Sequence, residues 1–183
     1  AKYALTYFKE RNINRVRNLT TNKDEWDALK ALYSKNAKCD FKIECYFSEF
    51  MEQSFSEAVK AYKYAKKNQF SSKASASGLK VFLDGSIGQK TAAMSSNQTI
   101  AFRLSDQMLI ERMKAAFLDL QTDLAVHTIG DLALEKAISL FSDFSEKHKV
   151  NNTLHLEHCP IFTNKTLKIL KNKNLNCTFH FQP

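Results

Sequence analysis

Short apolar, strand-like runs alternate with amphipathic segments of helical length along this whole chain, and that alternation leaves few folds open. The sharpest instance is Leu124-Ala125-Val126-His127-Thr128-Ile129-Gly130-Asp131. An apolar run leads into a histidine, then a Gly-Asp pair, then a helical pattern from Leu132 to Phe144. This is a βα unit with a polar residue near the C-terminal end of its strand, the place where parallel α/β folds put ligands and catalytic groups.

The same grammar reads from end to end. Ala4, Leu5 and Phe8 sit at helical spacing in residues 1–11, Ile13–Leu19 alternates as a strand, and Asp24–Ala37 is a helix with an acidic first turn. Phe41–Phe47 is the second strand, Phe50–Asn68 a helix, and Ser71–Ser77 a polar loop. Leu79–Leu83 is the third strand, followed by Asp84-Gly85-Ser86 and a loop of roughly twenty residues, a length that marks functional loops. Ser105 caps the helix Asp106–Leu118. Leu124–Ile129 is the fourth strand, with a helix to about His148. Thr153–Glu157 is the fifth, with a short helix to Lys171, and Asn176–Phe181 is the sixth.

A helix, five βα units and a bare strand imply a parallel sheet of about six strands with helices outside. No strand is followed by a Gly-rich dinucleotide turn, which disfavours a Rossmann arrangement. The remaining parallel candidate is the (β/α)8 TIM barrel, which typically takes about 250 residues. At 183 residues the expectation is a single domain, a partial α/β barrel lacking strands at both ends.

Composition narrows the function classes. Apolar residues at 44% and charged residues at 25% are ordinary for a globular protein. There is no run of about 18 apolar residues to span a membrane, and the N-terminus lacks signal-peptide features. Cys39, Cys45, Cys159 and Cys177 form no CxxC pair, so reduced core thiols in a cytoplasmic protein are expected. The formal charge of +8 is mostly lysine scattered over helical segments, with five unclustered arginines, so no nucleic-acid partner is expected.

Three polar residues lie at or near strand ends: Lys80, His127 and His158. His127 and His158 stand about one βα repeat apart, so adjacent strands could present two imidazoles to one point, a start for a zinc or similar divalent site. The alternative is hydrogen-bonded core histidines and a snorkelling lysine. His148, among charged neighbours, is expected in solvent. His155, opposite His158 by alternation, is expected against a helix, and the environment of His180 is left open.

The segment Gly78–Gly88 with Thr91-Ala92, then Val126–Asp131, then Leu156-Glu157-His158-Cys159, and finally Gln182-Pro183 follow in that order. Together they resemble the metal-dependent amidohydrolases of family 3, the branch similar to N-substituted formamide deformylase. The resemblance runs from the second barrel strand (Ile13–Leu19) to the seventh (Asn176–Phe181). It implies a mono- or binuclear centre, usually zinc. The lysine matching Lys80 is expected to be carboxylated and to ligate metal, and the histidines matching His127 and His158 to be ligands on the fifth and sixth barrel strands. Metal-activated water would attack an amide-type, non-peptide C–N substrate. Asp84, Gly85 and Ser86 would line the same mouth without an assigned role.

The family's His-x-His pair on the first strand and its aspartate on the eighth, the general base, have no counterpart here. The expectation is therefore a hydrolase of small amide-type molecules in a longer parent, with this stretch alone inactive. It would dimerise through its exposed strand edges. The competing expectation is a non-catalytic parallel α/β binding module with structural histidines.

Overall fold

The structure, a computed structural model, describes residues 2–35, 41–52, 54–96, 101–172 and 174–181. Cys39 and the Gln182-Pro183 pair lie outside the described residues. The chain divides into two compact units, 1–80 and 81–183.

The first unit contains α1 (Lys2–Glu10), β1 (Arg15–Thr21), α2 (Lys23–Lys35), β2 (Lys42–Ser48), α3 (Phe55–Lys67) and most of β3 (Ala74–Phe82). β1 pairs in parallel with β2, and β2 with β3, where Ile43 meets Ala74 and Ser48 meets Lys80. Helix α3 begins at Phe55 because the Ser54 hydroxyl accepts the Glu57 N–H, leaving residues 50–52 in a turn.

The expected loop over Ser71–Ser77 is instead the start of β3. Ala74 and Ala76 are buried, while Ser75 and Ser77 alternate with them. Small residues carry little β propensity, so pairing with β2 determines the strand. The core of this unit gathers on Trp26, which is fully buried with ring centroids 4.9 Å from Phe70 and 6.1 Å from Phe47. The Tyr33 hydroxyl donates to the Phe41 carbonyl at 2.5 Å, tying the end of α2 to the start of β2.

The second unit holds the end of β3, then α4 (Asp106–Met113), a π-helical turn (Lys114–Asp119), β4 (Asp123–Thr128), α5 (Asp131–Lys147), β5 (Leu154–His158), α6 (Asn164–Asn172) and β6 (Cys177–Phe181). β4 pairs in parallel with β5, and β5 with β6. One strand face is aliphatic and fully buried: Leu124 and Val126 on β4, in register with Leu154 and Leu156 on β5. Phe117, Phe141 and Phe144 build a further aromatic cluster, with centroids 5.5 and 6.2 Å apart. The fold is thus α/β with parallel strands in chain order within each unit, each connected through a helix, as expected of part of a β/α barrel. No helix among the described residues is long and apolar enough to cross a membrane.

Replacing Trp26 with alanine is expected to cost about 3–5 kcal/mol by emptying the centre of the first unit. Urea denaturation followed by circular dichroism would register this as a large fall in midpoint. A variant at the exposed Tyr3 should leave the midpoint in place.

Candidate metal centre

The second unit's site is assembled at the C-terminal ends of β3 and β4. The Leu83 N–H donates to the His127 carbonyl at 3.2 Å, which carries Asp84 alongside the end of β4. Asp84 is fully buried. Its carboxylate accepts three backbone N–H groups, from Ala93 at 3.0 Å, Ile129 at 3.1 Å and Gly130 at 2.7 Å. Burial pushes this carboxyl above its ordinary range, against those three donors and the nearby His158. The chain therefore crosses from loop to loop through one carboxylate.

Two glycines permit the close approaches here, Gly130 where the segments cross and Gly85 within the loop itself. A Cβ on Gly130 would lie 2.2 Å from the Ala93 carbonyl oxygen, and one on Gly85 would lie 2.0 Å from the Thr91 hydroxyl. Neither position has room for a side chain. Gly85 is held by its N–H to the Thr91 carbonyl at 3.0 Å, and Leu132 reaches Ala93 at 3.0 Å. Asp131, at the start of α5, accepts the Ser95 N–H at 2.8 Å and the Ser95 hydroxyl at 2.5 Å. Burial alone would raise the Asp131 carboxyl, but these bonds with Ser95 and the N–H groups of the helix start hold it below its ordinary value.

His127 is buried, and its Nε2 lies 2.9 Å from the Gly85 carbonyl oxygen and 3.8 Å from Asp84 Oδ1. A carbonyl oxygen only accepts, so Nε2 carries a hydrogen, and in the neutral form of the ring Nδ1 is the nitrogen left unprotonated. Phe82 packs on the ring with centroids 5.0 Å apart.

The His158 ring lies 4.6 Å from that of His127, centroid to centroid, with the planes inclined at 64°. Strand alternation would not bring them together. His158 is in register with Thr128, and His127 with Glu157, so regular extended backbone would direct the two imidazoles to opposite faces. His158 escapes this because its φ is +78°, followed by +21° at Cys159. Left-handed backbone at a residue with a bulky ring costs of order 1–3 kcal/mol and persists where the surroundings enforce it. Beneath it, the Thr128 hydroxyl donates to the Glu157 carbonyl at 3.2 Å. The buried Cys159 thiol is pushed up to about 11 by burial, so it stays a thiol.

Lys80 belongs to the first unit. It is 1% exposed, near the end of β3, and so is not a snorkelling surface lysine. Among the described residues, Cys45 and Cys159 are buried free thiols and Cys177 is a half-buried one. His155 departs from expectation: its ring nitrogens engage Asp123 and His180 across the neighbouring strands. The aliphatic face of β5 is the one carrying Leu154 and Leu156, which leaves His155 on the polar face.

As a donor set the site offers two imidazoles, one of them oriented by a backbone carbonyl in the manner of metal-ligating histidines. Among the described residues, no three of His, Cys, Asp and Glu are grouped to hold a metal ion. Two imidazoles alone are an incomplete ligand set, which fits a divalent cation only with a further donor.

No protein-family model matches this chain, and no curated protein matches it. Among solved structures it is similar to an uncharacterized metal-dependent hydrolase from Pyrococcus horikoshii OT3, with a TM-score of 0.74 and 21% identity. The match covers 96% of this chain and 35% of that one. An uncharacterized metal-dependent hydrolase from Pyrococcus furiosus is similar at a TM-score of 0.68 and 19% identity, over 95% of this chain and 36% of that one. The chain thus spans about a third of the length of these proteins and shares the fold of that portion.

Ser95→Ala is expected to cost about 1–2 kcal/mol at pH 7. The loss should shrink as pH falls below the ordinary carboxylate value, near 3.9, toward the lower value of Asp131 in the folded state, because its contribution is full above the former and gone once the carboxyl is protonated. Paired urea titrations of both proteins at pH 7 and pH 3.5 would show this as converging midpoints.

Proposed function

We infer that this chain carries part of the metal centre of a hydrolase acting on C–N bonds of small, amide-type, non-peptide substrates. Lys80, His127 and His158 serve as ligands to zinc or another divalent cation. The observation that carries the reading is the pairing of His127 and His158 at 4.6 Å between ring centroids, reached through a left-handed His158 rather than by regular strand geometry. Strain of this kind accumulates at functional sites. The fold shared with two proteins described as metal-dependent hydrolases supports the same reading. So does the order of the motifs around Lys80, His127 and His158, which resembles amidohydrolases of family 3.

Each residue has a task that follows from its surroundings. Gly85 fixes the His127 ring through its carbonyl, so that Nδ1 offers the lone pair. Asp84 holds the 84–95 loop against the end of β4, which sets the position of that carbonyl. Buried Lys80, once carboxylated, exchanges a cationic amine for an anionic oxygen donor. A divalent cation, when bound, supplies Lewis acidity toward a carbonyl and a lowered pKa for water.

Metal content by plasma mass spectrometry, on protein purified without chelator and supplemented with zinc and bicarbonate, tests the assignment. About one equivalent is expected, falling to background in His127→Ala and in His158→Ala, since each removes a direct ligand. Uptake that survives both substitutions would overturn the ligand set and favour a binding module with structural histidines.

A further inference from the structure

A second cluster of titratable groups lies away from the paired rings. Asp123 opens β4, His155 sits in β5 and His180 in β6. His155 Nε2 is 3.4 Å from Asp123 Oδ2, and its Nδ1 is 3.0 Å from His180 Nε2. Both nitrogens of one imidazole are thus engaged, one by a carboxylate and one by a second imidazole. The other oxygen of Asp123 accepts the Thr153 N–H at 2.9 Å, which fixes the carboxylate. His155, Asp123 and His180 are all half-buried, so protons from solvent reach them.

We propose that Asp123, His155 and His180 form a proton-counting latch that holds β6 to β5, keeping its contacts with one added proton and losing them with a second. The proton positions follow from donor and acceptor rules. An ionised carboxylate only accepts, so His155 carries hydrogen on Nε2. With both rings neutral, His155 Nδ1 is an acceptor and His180 Nε2–H fills it. One added proton on either ring leaves a single hydrogen between the two nitrogens, and both bonds survive. A second proton places N–H against N–H and two positive charges beside one carboxylate. The bond between the strands is then lost and the cations repel.

The surrounding charges keep this sequence in order. Burial would raise the Asp123 carboxyl, but the bonds from His155 and Thr153 outweigh it and hold it low, so it stays an acceptor. Among the described residues of β4 to β6, the other titratable groups on this side are Glu157, in register with His180, His127, in register with Glu157, and His158, whose ring meets that of His127. Cys177 of β6 pairs in register with Leu154, on the opposite face.

The sign of the pH effect is fixed. The open arrangement binds more protons than the latched one once the second proton is needed, so opening becomes easier as pH falls, by up to tenfold per unit. Hydrogen exchange of the β6 amides, corrected for intrinsic rates, reads this directly at pH 8, 6.5 and 5. In the wild-type chain β6 protection should fall at least tenfold between pH 6.5 and pH 5, while β2 is unchanged. In His180→Gln the fall should disappear, because a carboxamide can donate to or accept from His155 Nδ1 at any pH. Flat wild-type protection, or the same fall in His180→Gln, would overturn the latch. A long-range proton–nitrogen correlation spectrum of the wild-type chain at pH 8 tests the proton positions independently: both rings should carry hydrogen on Nε2. An Nδ1–H tautomer at His155 would overturn the proposal even if the glutamine variant failed to fold.

Discussion

The buried carboxylate of Asp84 is the interaction on which the second unit's site depends. Three backbone N–H groups from two separate segments converge on it, and none of the three belongs to its own strand. A buried charge with this many donors is costly to leave unmet, so the loop after β3 and the turn after β4 have little freedom to separate. Gly130 is the counterpart of that convergence, since a Cβ there would strike Ala93 of the opposing loop, and Gly85 lets that loop fold tightly onto its own Thr91. The position of the His127 ring follows, because its Nε2 partner is the carbonyl of the residue next to Asp84.

Much of this is legible in the sequence, and the misses have physical causes. Periodicity locates five of the six strands to within about two residues, since their apolar faces are built from large aliphatic and aromatic side chains. The first half of β3 escapes because Ala74, Ser75, Ala76 and Ser77 carry no such signal, and only pairing with β2 makes them a strand. The helix expected over Asp106–Leu118 ends in a π-helical turn from Lys114, a widening that no local pattern announces. His127 and His158 stand out by their strand ends, and spacing anticipates their meeting but not how it happens. Alternation alone separates them, and it takes a left-handed residue to undo that.

Roles that depend on partners distant in sequence stay hidden. Asp84 stands out only as part of an Asp-Gly-Ser turn, yet it bonds residues more than forty positions away. Ser95 lies in an unpatterned loop and gives no hint of its grip on Asp131. Alternation sends His155 toward a helix only if His158 marks the inner face of β5. The aliphatic pair Leu154 and Leu156 shows the reverse, and His158 is the exception to its own strand.

That exception bears on how position 158 would change under mutation. Glycine adopts a left-handed φ without penalty, whereas an imidazole there is held against its own backbone preference. Selection for stability alone would drift the position toward glycine or asparagine, whereas selection for a ligating ring would hold it. Residue 158 therefore behaves as an indicator of use: in any descendant of this chain, the side chain found there reports whether the imidazole still has work to do.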